Sequence, residues 1–197
     1  MDWRTGDHYT GREFERDIFG TFRITPAYQR ALREAKEKAA REGRSVVPYH
    51  IAERLVTEHY GGDPTNSDRP FAKDLRIEVC DALGLESETE LDRVKIYSAV
   101  GTPLDLHGID ALVRYDDGRL VVDVTLDATL DPHKFVYKAD FIISEIAAPE
   151  EADFESQVDG WAEKVGTLLK QRLKQAPPRG KAKWNKDHWE FVRGPAA

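Results

Sequence analysis

The sequence contains very little cysteine and no long apolar run. Cys80 is the only cysteine among 197 residues, which excludes an internal disulfide and a zinc site built on cysteines. Its neighbours Ile77, Val79 and Leu83 are apolar, so we expect a buried structural thiol rather than a nucleophile. No segment approaches the ~20 consecutive apolar residues of a membrane span, and the first residues lack the layout of a secretory signal. We therefore expect a cytoplasmic protein with no membrane partner.

Several common active-site motifs are also missing. The sequence has no glycine-rich phosphate loop, no serine nucleophile elbow and no dinucleotide-binding fingerprint. Its six histidines are scattered without the spacing of metal ligands. His107 and His133 remain open as acid–base or metal-binding groups, because they flank the acidic residues described below.

Apolar residues are sufficient for a core, but charge is distributed unevenly. Hydrophobic residues make up 40% of the chain, which suits a single folded domain. The formal net charge is −7, yet residues 164–193 contain nine basic and only two acidic residues. This basic segment also includes Trp184 and Trp189. Such a segment fits a surface that binds nucleic-acid phosphates, and it equally fits a solvated helix end.

Helical signals dominate the first part of the chain. Thr25 followed by Pro26 is a cap with proline at the first helical position, and it predicts a helix that ends near Glu42. A second helix is predicted after Ser45, and a third over residues 70–83.

The second part of the chain mixes strands and helices. Its predicted elements are, in order, a strand over 93–100, a β-hairpin over 106–126, a helix from Asp131-Pro132 to about Ile146, a helix over 154–169 and a strand over 188–193. The helix after Asp131 is preferred to a strand because residues 138–146 lack alternation.

This order of elements predicts an α+β fold with αβα layers. We expect a mixed sheet built on an antiparallel strand–hairpin core and flanked by helices. We divide the chain into a helical N-terminal extension, residues 1–66, and an α/β core with the basic C-terminal segment, residues 67–197.

The predicted hairpin brings acidic side chains together. A two-residue loop at its DDG turn, residues 116–118, pairs Asp110 with either Thr125 or Asp123, depending on which two residues form the loop. Either choice places Asp110, Asp123 and Thr125 on one face of the sheet. A three-residue loop without a bulge would instead separate the two aspartates.

Paired carboxylates on neighbouring strands predict a metal site. Like charges at cross-strand positions are destabilising unless something neutralises them, and carboxylate oxygens are preferred ligands of Mg²⁺ and Ca²⁺. A solvated or protected sheet edge is the simpler explanation, but apolar residues surround both aspartates. Asp105 is an alternative first acid, and Asp127 and Asp131 are further candidate ligands, although turn and cap positions also explain Asp105 and Asp131.

The two strands of the hairpin, HGIDALV and VVDVT, resemble the core of the PD-(D/E)XK nuclease superfamily, which has the restriction-endonuclease-like fold. The resemblance covers roughly residues 70–147, with Asp110 as the first acid and Asp123 as the second. It implies a nuclease that hydrolyses phosphodiester bonds of DNA, with RNA as the less favoured substrate. It also implies Mg²⁺ or Mn²⁺ bound by Asp110 and Asp123, and it allows a homodimer.

The family pattern has a lysine two positions after the second acid, and Thr125 occupies that position here. Some members take the lysine from the next helix, which would carry Lys134 and Lys138 one turn apart. The resemblance therefore implies that catalysis depends on Asp110, Asp123, Lys134 and Lys138.

Relatives often add a glutamate from the preceding helix, for which Glu78 is the first candidate by position and Glu53 the second. If neither lysine reaches the aspartates, the alternative is an inactive nuclease-fold module that binds nucleic acid or a protein. A third alternative is an assembly protein with a basic contact surface.

Overall fold

The computed structural model describes residues 10–130, 138–177, 182–185 and 188–191. It is an α+β structure of helices around one mixed sheet. The helices are α1 (Gly11–Phe19), α2 (Pro26–Arg41), α3 (Tyr49–Glu58), α4 (Pro70–Leu83), α5 (Glu88–Leu91) and α6 (Phe154–Lys174), with a 3₁₀ turn over Asp105–His107. The strands are β1 (Val94–Ser98), β2 (Ala111–Asp116), β3 (Leu120–Ala128), β4 (Phe141–Ile143), β5 (Ala182–Asn185) and β6 (His188–Phe191).

Local signals account for most helix ends. The hydroxyl of Thr25 accepts a hydrogen bond from the Tyr28 N–H at 3.1 Å, as expected of a cap before Pro26. Gly84 ends α4 in the left-handed conformation, with φ +73°. The predicted helices over 26–42 and 70–83 are therefore confirmed to within a residue. The helix after Ser45 is also present, but it begins only at Tyr49.

The sheet is a three-stranded antiparallel meander that is extended on the far side of β3. Its order is β1-β2-β3-β5-β6, and β4 also pairs with β3. Strands β4 and β5 are both parallel to β3, β4 near its end and β5 near its start. The long helix α6 provides the connection that leads from β4 to β5. The predicted strand near residue 190 is confirmed as β6.

Two apolar clusters pack on the two faces of the sheet. One cluster joins Val113, Val122 and Val124 to residues of α1, α4 and α6. The other joins Tyr97 and Leu112 to residues of α2 and α3. The N-terminal helices are therefore packed on both faces of the sheet. Across the described residues, no helix is long and apolar enough to cross a bilayer.

The helix predicted from Asp131 is wrong over its described part. Residues 131–137 lie outside the described residues, and β4 follows them over Phe141–Ile143. Leu126 pairs with Phe141, and Ala128 pairs with Ile143. A short apolar run has no period that distinguishes a strand from a buried helix, and here the open edge of β3 supplies the hydrogen-bond partners.

The predicted hairpin is present, but both predicted registers are wrong. Ala111 pairs with Leu126 and Arg114 with Asp123, and beyond the ladder the Asp110 N–H bonds the Leu126 carbonyl. The two-residue loop is Gly118-Arg119, one position later than the DDG motif indicates, because the Asp117 N–H still bonds the Leu120 carbonyl.

The turn itself explains this register. The carboxylate of Asp117 accepts hydrogen bonds from the N–H groups of Arg119 and Leu120 at 2.9 and 2.7 Å. That of Asp116 accepts one from Gly118 at 2.8 Å. Both aspartates thus act from the end of β2 and satisfy loop N–H groups, while Gly118 adopts φ +80°.

Candidate functional site

Asp110 is fixed in the sheet just before β2 begins. Its N–H donates to the Leu126 carbonyl at 2.8 Å, and its own carbonyl accepts from Ala99 at 2.7 Å. Its carboxylate accepts a hydrogen bond from the Ala128 N–H at 2.8 Å. Backbone bonds on both sides therefore hold this residue, and its side chain is only 2% exposed.

Asp110 belongs to a group of acidic side chains that we call the carboxylate cluster, formed by Glu15, Asp105, Asp110 and Asp127. Glu15 comes from α1 and Asp105 from the 3₁₀ turn between β1 and β2. One oxygen from each of Glu15, Asp105 and Asp110 lies within 4.8 Å of the other two. Asp127, which is 1% exposed, is hydrogen-bonded to Asp110.

The electrostatics of the carboxylate cluster disfavour full ionisation. Burial, followed by the negative charges of Glu15 and Asp127, raises the pKa of Asp110 to about 9, against the opposing effect of the Ala128 N–H. Two carboxyl groups share a hydrogen bond only when one of them carries a proton. Protonation is thus one way to relieve the repulsion, and a bound cation is another.

The cluster fits a divalent cation in ligand type and spacing. Such ions bind carboxylate oxygens at 2.0–2.6 Å depending on the ion, so two ligands on opposite sides of an ion stand about 4–5 Å apart. One oxygen from each of Glu15, Asp105 and Asp110 lies within 4.8 Å of the other two, so a single ion between them would be within reach of all three. The Gly101 N–H bonds the Asp105 carboxylate at 2.8 Å, so Asp105 and Asp110 are each oriented by a backbone donor.

Asp123 lies elsewhere, in a network of ion pairs. Both of its oxygens accept from the guanidinium of Arg114, at 2.6 and 2.7 Å. Arg114 also donates to Glu53 of α3 at 2.9 Å, and Lys183 pairs with Glu53 and approaches Asp123 to 3.8 Å. Removing one partner of such a buried pair typically costs about 3–5 kcal/mol, so this network is part of the fold.

The pKa values of the two acids in this network move in opposite directions. Burial opposes the ionisation of Asp123, but the charge and hydrogen bonds of Arg114, together with the charge of Lys183, lower its pKa overall. Burial raises the pKa of Glu53, and the charge of Asp123 raises it further, against Lys183 and Arg114. Their exposed fractions are 9% for Asp123 and 7% for Glu53.

The network forms one wall of a cavity of about 480 Å³, which we call the ion-pair cavity. Its lining residues are Tyr49, Glu53, His107, Asp123, Thr125, Lys138, Asp140, Arg172, Trp184 and Asn185. Asp140 accepts hydrogen bonds from the Thr125 N–H at 2.8 Å and from Arg172 at 2.6 Å. The cavity is therefore bounded by α3, β3, α6 and β5.

The structure separates the residues that the hairpin prediction combined. Asp110 lies in the carboxylate cluster, whereas Asp123 and Lys138 line the ion-pair cavity. The N–H of Asp110 bonds Leu126, three residues along β3 from Asp123, which corresponds to about 10 Å. The predicted pair of aspartates is therefore wrong, because the register differs. Lys134 lies outside the described residues.

The other glutamates and histidines that the sequence suggested also lie in different places. Glu53 reaches the ion-pair cavity, but Glu78 lies on α4 in a groove lined by Asp74 and Asp159. His107 lines the cavity with its Nε2 2.8 Å from the Val47 carbonyl, and His133 lies outside the described residues.

Sequence reasoning missed Glu15, Asp140 and Arg172, and it underused Asp105, Asp127 and Lys183. Asp127 and Asp105 were visible as acids near the hairpin. Arg172 and Lys183 were visible only as members of the basic segment. Glu15 carried no signal, because no local pattern shows that α1 packs beside β3.

Comparisons with protein-family models, with curated proteins and with solved structures found no match for this chain. Membership of the PD-(D/E)XK superfamily accordingly stays a prediction from the hairpin residues.

Proposed function

We propose that this protein is a metal-dependent nuclease, acting on DNA in preference to RNA, whose divalent cation binds in the carboxylate cluster. The observation that carries this proposal is the convergence of three carboxylate oxygens, from Glu15, Asp105 and Asp110, within 4.8 Å. Three separate elements contribute them, and the buried Asp127 supports Asp110 through a hydrogen bond. Carboxylate oxygens are ligands that divalent cations prefer.

In the proposed site Glu15, Asp105 and Asp110 would hold Mg²⁺ or Mn²⁺. The bound ion would polarise a phosphate oxygen and lower the pKa of the attacking water. The N–H groups of Gly101 and Ala128 orient their carboxylates in advance, so little rearrangement accompanies binding.

The main difference from the sequence-based proposal is the second acid. The acid beside Asp110 is Asp127, which hydrogen-bonds it, whereas both oxygens of Asp123 are held by Arg114. The residue two positions after Asp127 is Thr129, so threonine again stands where the family pattern has lysine. A catalytic role for Lys134 stays a prediction, and Lys138 belongs to the ion-pair cavity.

The alternative is a nuclease-fold module that binds nucleic acid or a protein without cutting it. Thr125 and Thr129 favour this alternative, since neither supplies the positive charge that lysine gives beside a phosphate. In this case the carboxylate cluster would remain protonated or bind a structural ion.

The test is cleavage of linear and plasmid DNA, and of RNA, with Mg²⁺ or Mn²⁺ and with a chelator. We expect cutting only with the metal, and its loss in Glu15→Gln and Asp110→Asn. Glu78→Gln is the matched control, because Glu78 lies outside the cluster, and it should cut normally. Titration with Mn²⁺ provides a readout independent of activity, and both cluster variants should bind the ion at least tenfold more weakly.

Each outcome discriminates between the proposals. A folded wild-type protein that neither binds Mn²⁺ nor cuts would contradict the nuclease. Salt-sensitive retention of DNA without cutting would support the binding module. Cutting that persists in Asp110→Asn would move the site away from this cluster.

A further inference from the structure

We propose that the ion-pair cavity binds a nucleoside monophosphate unit, with the phosphate beside Lys138 and the base against Trp184. This site shares no residue with the carboxylate cluster, so the inference goes beyond the proposed hydrolysis and does not require a metal. A volume of about 480 Å³ is within the range of small-ligand sites.

The charges of the cavity leave a cation available for a phosphate. Asp123 is neutralised by Arg114, Asp140 by Arg172, and Glu53 by Lys183 and Arg114. Lys138 lines the same cavity and forms no ion pair with any described residue. Arg114 and Lys183 contact these acids without lining the cavity, and with them four cations face three carboxylates.

Aromatic side chains provide a surface for a base. Trp184 and Tyr49 both line the cavity, and the Arg172 guanidinium lies 5.6 Å from the centre of the Trp184 ring. Stacking of a base on an aromatic ring is worth about 1–3 kcal/mol. A simple anion such as sulfate or phosphate would leave these rings unused.

A polar group lies near the same aromatic side chain. The side-chain amide of Asn185 donates to Glu190 at 2.7 Å, which orients its carbonyl oxygen as an acceptor. Asn185 follows Trp184 on β5 and also lines the cavity. Carboxamides recognise the donors and acceptors on base edges, so this residue suits a ring that carries polar substituents.

The walls of the cavity are fixed before a ligand binds. Asp140 is held by both the N–H and the hydroxyl of Thr125, at 2.8 and 3.0 Å, and by Arg172. Arg172 also donates to the Asp123 carbonyl. These bonds connect α6, β3 and the segment before β4, so few side chains lose freedom on binding.

The test is isothermal titration with thymidine 5′-monophosphate, thymidine and inorganic phosphate, all in a chelating buffer. We expect the nucleotide to bind at least tenfold more tightly than either fragment. Lys138→Ala should weaken the nucleotide about tenfold and leave thymidine unchanged, whereas Trp184→Leu should weaken both. Lys170→Ala is the matched control, since Lys170 lies on α6 in a different groove.

A 5′-phosphorylated oligothymidine distinguishes the two sources of this chemistry. Tighter binding of the oligonucleotide than of the mononucleotide indicates a strand end, and weaker binding indicates a free nucleotide; both support the inference. Absence of nucleotide binding by the folded protein, equal binding of inorganic phosphate, or full binding by Lys138→Ala would overturn it. The chelator prevents metal-dependent cutting, so failure of the nuclease proposal leaves this result interpretable.

Discussion

Asp110 couples the stability of the fold to pH through its buried carboxyl group. An aspartate in an unfolded chain has a pKa of about 3.9, whereas burial and the neighbouring acids raise the pKa of Asp110 to about 9. Between these values the folded protein keeps a proton that the unfolded chain has released. The contribution of Asp110 to the free energy of unfolding therefore falls as the pH rises through this range.

Asp110→Asn should remove this dependence, because the amide imitates the protonated carboxyl: it accepts from the Ala128 N–H and donates to Asp127. In metal-free buffer we expect the free energy of unfolding of the variant, relative to that of the parent, to increase from pH 5 to pH 8. The increase should be at most about 1.4 kcal/mol per pH unit. Urea denaturation at several pH values measures the difference. A difference that is constant with pH would contradict the buried, protonated state of Asp110.

At the scale of elements, the sequence predicts what local chemistry decides. Thr25 with Pro26 and the glycine at position 84 mark the ends of α2 and α4, because capping depends on adjacent residues. The hairpin is also recognisable from its two apolar runs. Its register is not, because several loops fit the DDG motif, and the choice depends on which N–H groups Asp116 and Asp117 satisfy.

The uncertain register of the hairpin affects the prediction of the candidate site more than the prediction of the fold. The sequence selects Asp123 as the β3 acid beside Asp110, whereas the structure has Asp127, four residues further along β3. Glu15 and Lys183 reach their sites through packing between distant elements. Strand β4 is likewise defined by the free edge of β3 rather than by its own three residues.

Replacing glycine by alanine should have opposite effects on stability in the hairpin turn and in α6. Gly118 has φ +80°, a conformation that costs other residues about 1–2 kcal/mol, so Gly118→Ala should destabilise the protein by that amount. Gly160 lies inside α6, where an added methyl group would meet no atom within 4 Å. Gly160→Ala should therefore stabilise by about 0.5–1 kcal/mol. Thermal denaturation of both variants tests the turn, and stabilisation by Gly118→Ala would contradict the register.

At the scale of the molecule, the sheet depends on helices from both ends of the chain. Helices α2 and α3 cover the face that carries Tyr97 and Leu112, while α1, α4 and α6 cover the other. Glu53 of α3 also completes the ion-pair network. The face beneath α2 and α3 combines this network with buried apolar residues, so the first 66 residues contribute to the core as well as extending the chain.

We therefore predict that the N-terminal helices and the sheet unfold together. Leu55 of α3 is buried in the second apolar cluster, and Leu55→Ala should lower the free energy of unfolding by about 2–5 kcal/mol. The readout is tryptophan fluorescence in a Trp3→Phe background, where the other three tryptophans all lie beyond residue 160. Their transition should shift with that of the far-UV circular dichroism signal. Ile24→Ala, at an exposed position, should shift neither by more than about 0.5 kcal/mol, and an unchanged fluorescence transition in Leu55→Ala would show that the extension unfolds separately.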